Sequence, residues 1–193
     1  SKNVVGDLAW LSQTGLDKEI IQRAEQGCPI TGICGGFQIL GKTVVDPHGI
    51  EGEPGALLHG LGLLDLTTEL AANKTLTRRE GVHVPSDQPI HGYEIHHGQS
   101  KSRTSAEALL CFTDGATCGL ADRTGRIWGS YLHGIFDSDS FRRWFINMLR
   151  EGRGIPPLSG NGAQYDLEPA LDRLAAVLRQ ELDMDALYRL LGL

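Results

Sequence analysis

One cysteine in this chain is framed by glycine: Gly32-Ile33-Cys34-Gly35-Gly36, inside the stretch PITGICGGFQILG. The pattern G-x-nucleophile-x-G is that of a nucleophile elbow, with cysteine where many hydrolases carry serine. An apolar run precedes it and an amphipathic run follows, so the cysteine sits at a turn between strand and helix. Glycines flanking such a turn remove the Cβ atoms that would clash in a strained backbone. The positive end of the following helix favours thiolate at Cys34. That help matters, because a free cysteine with a pKa of about 8.5 is only a few per cent ionised near neutrality. The Gly35 N–H is then placed to stabilise a tetrahedral oxyanion, where one such donor is typically worth about 10²–10³ in rate. Cys28, Cys111 and Cys118 lack this framing and read as core or surface thiols.

A thiol nucleophile wants an imidazole. His133, in GSYLHGIFD, ends a strand-like run at a glycine turn before a helix, and strand ends are where α/β sheets collect active sites. His96 and His97, in YEIHHG, hold a similar position with Glu94 close by, while His48, His59, His83 and His91 sit in loop-like surroundings. The histidines 91, 96 and 97 are a conceivable metal cluster. Adjacent residues of a strand point to opposite faces, however, and no metal site is expected.

The elements that must position these groups follow from periodicity. Val4, Val5, Leu8 and Leu11 recur at helical spacing up to Gly15, and LDKEIIQRAEQG reads as a second helix stopped by Gly27. CPITGIC is a strand and GGFQILG a helix. VVDPHGIEGEPGALLHGLG reads as a Pro/Gly-rich loop. LGLLDLTTEL, KTLTRREGVHV and QPIHGYEIHHGQS read as three strands, and residues 108–134 as two strand pairs joined by turns. DSDSFRRWFINMLREG is a helix, GIPPLSGNG a linker, and two amphipathic helices close the chain. This order predicts an α/β domain around an open, mostly parallel sheet flanked by helices.

With 193 residues the chain suffices for one ample domain. Hydrophobic residues at 40% and charged residues at 22% are ordinary for a soluble protein. The net charge of −6 argues against nucleic acid as a partner, and no apolar run approaches the roughly 18 residues of a membrane span. The four cysteines form no CxxC pair and no zinc-ligand spacing. Without a secretory signal they are expected as free thiols in the cytoplasm. No GxxxxGK[ST] phosphate loop occurs.

Taken in order, SKNVVGDLAWL, GICGGFQILG, DPHGIEG, GLGLLDLTTEL, GYEIHHG, GSYLHGIFD and FRRWFINMLR resemble the class I glutamine amidotransferases. Within them, the likeness is to the glutaminase domains of cobyric acid synthases. The resemblance implies a flavodoxin-like fold, with residues 1–152 as amidotransferase core and 153–193 as linker and C-terminal helices packing on it. It implies that Cys34 attacks the side-chain amide of glutamine and that His133 serves as its acid and base. Gly35 becomes an oxyanion donor, and Gln38, one turn after Cys34, helps hold the glutamine. Tyr93, Glu94 and His96 match a signature of the family. Their role is open between substrate-side or ammonia-path positioning and a structural hydrogen-bond cluster.

The resemblance also implies ammonia delivery to an N-terminal ATP-dependent synthetase domain of the same protein. There, with ATP and Mg²⁺, the ammonia amidates carboxylates of a corrinoid acceptor, taking adenosylcobyrinic a,c-diamide to adenosylcobyric acid. No cofactor is expected in this chain itself. The first element has no strand before it, so the family's first strands and a second oxyanion donor are expected ahead of Ser1. One departure stands out. The family triad reads H-x-E, but His133-Gly134-Ile135 puts isoleucine where the orienting acid belongs. The motifs around Cys34 and His133 also fit the glutaminases of cobyrinic acid a,c-diamide synthase and of lipid II amidation. Ile135 leaves an inactive binding or regulatory module as a further alternative.

Overall fold

A computed structural model describes residues 3–102, 108–160, 162 and 165–192. Ser1 and Lys2 of the SKNVVGDLAWL motif lie outside the described residues. Helix α1 (Val4–Thr14) opens on Asn3, whose side chain accepts the Gly6 N–H at 2.9 Å, and turns at the left-handed Gly15 (φ 74°) into α2 (Leu16–Glu25). Strand β1 (Ile30–Ile33) leads through Cys34 into α3 (Gly35–Leu40). Next come β2 (Thr43–Asp46), β3 (Ala56–His59), the long β4 (Leu66–His83) and β5 (Gln88–Ser102). The strands β6 (Leu110–Phe112), β7 (Thr117–Cys118), β8 (Leu120–Ala121), β9 (Ile127–Ser130) and β10 (Leu132–His133) follow. Helices α4 (Asp139–Glu151), α5 (Glu168–Glu181) and α6 (Met184–Leu191) end the chain.

The α/β class holds, but the balance of strand directions differs from the expected mostly parallel sheet. Among the described residues, parallel pairing joins β1 to β9 and β2 to β4, and every other ladder is antiparallel. Parallel neighbours need a crossover of a dozen or more residues. Here β4 and β5 are joined by a single tight turn at Val84–Ser86 and the left-handed Asp87 (φ 53°), which makes them a hairpin. One sheet runs β1-β9-β8, and a larger one runs β10-β5-β4-β2-β3 with β6 and β7 attached beside β4.

Two other expectations are revised. The predicted loop VVDPHGIEGEPGALLHGLG contains the β2–β3 hairpin. Its turn is organised by the fully buried Asp46, whose carboxylate accepts the N–H groups of Ile50, Glu51 and Gly52 at 2.8, 2.8 and 3.0 Å. The two strands predicted in LGLLDLTTEL and KTLTRREGVHV are one strand, β4. Residues 71–73, read as a break, form a bulge together with Lys74: Leu70 pairs with Gly98 and Thr75 with His96, so His97 alone stands opposite them.

The core lies where these layers meet. Trp128 and Leu132 pack with Ile135 and Phe141 of the following turn and helix. Phe37 and Leu40 of α3 pack on Leu66 and Tyr131, and Val4 and Leu8 of α1 on Ile39, Val44 and Leu70. Each large apolar side chain buried this way contributes about 1.5–3 kcal/mol. The closing helices, expected to pack on the core, carry no buried residue.

Candidate active site

Cys34 occupies the turn between β1 and α3 with φ 55° and ψ −112°. A non-glycine residue at positive φ outside the left-handed helical basin is strained and persists only where surroundings over-determine it. Here they do: the Cys34 N–H donates to the Ser130 carbonyl at 2.9 Å, prolonging the β1–β9 ladder past its end. Gly32 is needed because a Cβ there would come within 2.7 Å of the Gly36 backbone and of Leu40. Gly36 is not, since a Cβ at that position meets nothing within 4 Å. The expected clash is therefore one-sided.

The Cys34 thiol is 7% exposed and donates to the Ile95 carbonyl at 3.7 Å. Burial pushes its pKa up, against a lowering hydrogen bond from the Gly35 N–H. This revises the expected resting thiolate. Helix α3 is six residues long, and desolvation outweighs what its N-terminus supplies. The resting sulfur is a thiol and needs a base.

His133 ends β10, directly opposite Tyr93 in the ladder with β5. Its imidazole lies parallel to the Tyr93 ring, centroids 5.1 Å apart and planes within 8°. Burial lowers its pKa, so it rests as a neutral base. The place of the acid in an H-x-E triad is taken by Ile135, 1% exposed within the aromatic core.

Gln38, 3% exposed, donates through Nε2 to the Tyr131 hydroxyl at 3.2 Å. Tyr131 shares a 2.5 Å hydrogen bond with Ser100, which in turn meets Thr68 at 2.6 Å. The His96 ring stacks on Tyr131 at 3.7 Å, and its Nδ1 lies 2.7 Å from the Gly98 carbonyl. A carbonyl only accepts, so Nδ1 carries the proton and Nε2 is left as a bare acceptor. Burial lowers the His96 pKa and keeps the ring neutral.

Cys34, Gly35, Gln38, His96 and His133 line one cavity of about 290 Å³. Three buried polar atoms of these residues, Gln38 Oε1, His96 Nε2 and His133 Nε2, have no hydrogen-bond partner among the described residues. Buried polar groups are normally satisfied, so this concentration marks a place for a polar ligand. Tyr93 and Glu94 stand outside that cavity. Glu94 is buried and bound by Arg79, whose Nε donates to it at 2.7 Å and whose Nη1 pairs with Asp114. The same cavity is lined by Glu51 and Lys74, which sequence reasoning passed over. Glu51 sits within the DPHGIEG motif, whose first residue, Asp46, fixes its turn; Lys74 opens KTLTRREGVHV, which read as the start of a new strand rather than the end of a bulge. Among the described residues, no three His, Cys, Asp or Glu side chains group as a metal site. No helix of the described residues is long and apolar enough to cross a membrane.

A strained cysteine between strand and helix, sharing a cavity with a neutral histidine, is an arrangement suited to thiol-dependent acyl transfer. Residues 1–141 match the CobB/CobQ-like glutamine amidotransferase domain, and the chain belongs to that family. It is 44% identical to the adenosylcobalamin biosynthesis bifunctional protein CobDQ of Leptospira interrogans, across the whole chain and 22% of that relative. It is 39% identical to a cobyric acid synthase of Nitratidesulfovibrio vulgaris, across the whole chain and 42% of that relative. The chain thus spans less than half the length of these relatives. A solved glutamine amidotransferase superposes with a TM-score of 0.48 at 18% identity, covering 75% of this chain and 72% of that one.

Proposed function

We propose that this chain is the glutaminase of a cobyric acid synthase. It hydrolyses glutamine and passes the ammonia to a synthetase domain that amidates corrinoid carboxylates. The observation that carries the reading is the set of unpartnered polar atoms, Gln38 Oε1, His96 Nε2 and His133 Nε2, on residues that line one cavity with Cys34.

The chemistry follows from the geometry. His133 takes the Cys34 proton as the sulfur attacks the side-chain amide carbon of glutamine. The resulting oxyanion is met by the Gly35 N–H. Collapse expels the amide nitrogen, which leaves as ammonia with the proton returned by His133. A glutamyl thioester remains on Cys34. Water, deprotonated by His133, then attacks it and releases glutamate and the thiol. Gln38 Oε1 accepts an N–H of the bound glutamine, and His96 Nε2 faces the departing ammonia as a neutral acceptor.

The names of the relatives, one a cobyric acid synthase and one an adenosylcobalamin biosynthesis protein, support the acceptor: adenosylcobyrinic a,c-diamide, converted to adenosylcobyric acid. ATP and Mg²⁺ act in the synthetase part of the longer protein. Four free cysteines suit a reducing cytoplasm. The division of labour is tested on the full-length protein with Cys34→Ser: ammonium-dependent amidation persists and glutamine-dependent amidation is lost. Retention of glutamine-dependent amidation would remove Cys34 from the mechanism.

A further inference from the structure

The cavity beside Cys34 holds two opposite charges that the chemistry at the sulfur does not use. Glu51 and Lys74 both line it, and neither makes an ion pair among the described residues. They reach it by separate devices. Asp46 gathers the N–H groups of Ile50, Glu51 and Gly52 and so fixes the turn that carries Glu51. Oε2 of Glu51 then accepts the Val4 N–H at 2.6 Å and the Val5 N–H at 3.4 Å, tying the start of α1 to the cavity rim. Its Oε1 has no hydrogen-bond partner among the described residues. Lys74 ends the β4 bulge, and the His97 Nδ1 pins that bulge by its hydrogen bond to the Ala71 carbonyl at 3.1 Å. Bulges beside active sites commonly re-aim a side chain in this way.

We infer that Glu51 and Lys74 are the recognition pair for the two ends of a zwitterionic amino acid, Glu51 taking the α-ammonium and Lys74 the α-carboxylate of the bound amide. This deepens the glutaminase reading and rests on it. A cavity with one fixed anion and one cation matches a free α-amino acid. It disfavours a glutamine within a peptide, which has lost both charges and would leave Glu51 and Lys74 unanswered. Both charges also lie near enough to bias the Cys34 thiol, Glu51 raising its pKa and Lys74 lowering it. A purely structural account would make Glu51 a distant cap for α1, whose N-terminus attracts an anion. Asn3 already caps that helix from its own side chain.

The test compares two reagents that alkylate Cys34: the diazoketone analogue of L-glutamine, which carries both α-charges, and neutral iodoacetamide. Glu51→Gln keeps an oxygen for the Val4 N–H and removes only the charge. Losing a charge-assisted hydrogen bond should slow labelling by the diazoketone about 10- to 100-fold. Lys74→Met, at a more exposed position, should slow it about 3- to 10-fold. The iodoacetamide rate should stay within about threefold in both, since a solvent-screened charge shifts the thiol only modestly. A Glu51→Gln protein that has lost its α1 cap would slow with both reagents alike, and that result overturns the recognition role of Glu51. Lys74→Met makes no such structural contact and tests the pair independently. Wild-type diazoketone rates in both variants would sink the pairing and leave the glutaminase reading intact. A wild-type protein that iodoacetamide labels at Cys34 but the diazoketone does not would take down both.

Discussion

The ring of Tyr93 lies flat against the imidazole of His133, centroids 5.1 Å apart and planes within 8°, because the two residues are register partners across β5 and β10. Most thiol or hydroxyl nucleophiles work with a histidine oriented by a carboxylate. Here Ile135 stands at the acid's place, and if the ladder and the stack orient the ring, removing the stack should slow the reaction. A stacked aromatic pair is worth about 0.5–1.5 kcal/mol beyond its buried area, so Tyr93→Ala should lower glutaminase kcat about 2- to 10-fold. KM for glutamine should barely move, and Tyr93→Phe should restore the rate. Steady-state kinetics on the three proteins decide it; equal loss in Phe and Ala would assign the effect to the hydroxyl instead.

Restoring the missing acid should fail. Ile135 is 1% exposed and packs within the cluster that holds Phe141 and Trp128. Ile135→Glu puts a carboxyl into that core without a partner, at a cost of about 3 kcal/mol or more. Thermal unfolding should drop by roughly 6–12 °C for a domain of this size, with no gain in kcat. A stable, faster enzyme would show that the position still serves as a triad site.

The elbow makes an asymmetric prediction. Gly32→Ala forces a methyl within 2.7 Å of the Gly36 backbone, so α3 must shift and carry the Cys34 turn with it. Cys34 alkylation should slow and melting should fall. Gly36→Ala meets open space, and in a helix alanine is favoured over glycine by about 1 kcal/mol, so that variant should be as stable as the parent or more so. Parallel melting curves check both.

Two pH effects follow from burial, with opposite readouts. Attack requires neutral His133, and its lowered pKa keeps it neutral below the usual 6.5; Cys34, raised above its usual 9.0, holds its proton on the alkaline side. The kcat/KM profile should therefore be flat between about pH 6.5 and 9, with an acid limb only below about 6.5. Stability follows His83, whose pKa burial pushes down to about 4 among Phe141, Trp144 and Trp128. The unfolded chain takes a proton near pH 6.5 that the folded one refuses. Stability is thus complete above about pH 6.5 and falls towards pH 4, by on the order of 3 kcal/mol. Denaturant melts of wild type and His83→Phe should diverge across that window, the variant being flatter.

Much of the site was legible because it is local. Strand, Gly32, Cys34 and helix lie within a dozen residues, and His133 ends its own strand at a glycine turn. What was not legible is carried by pairing at a distance. Tyr93 gains its role from register with His133, some forty positions away in the chain. Lys74 is placed by a bulge opposite His97 that read as a break between two strands; Glu51 is set by the nearby Asp46, but its approach to the Val4 N–H spans 47 positions. The thiolate expected at Cys34 was a misjudged balance: the sequence exhibits a helix start, but not the depth at which the sulfur is buried. Antiparallel order was hidden too, since strand direction depends on which neighbours pair rather than on composition.

The central claim, that Cys34 carries a glutamyl group during turnover, is tested most directly by acid quenching of the full-length protein mixed with L-glutamine, followed by peptide mass spectrometry. The account predicts a glutamyl thioester on the Cys34 peptide, accumulating in His133→Ala only if attack survives that change, and absent from Cys34→Ala. An adduct on another residue, or glutamate release that persists undiminished in Cys34→Ala, would contradict it.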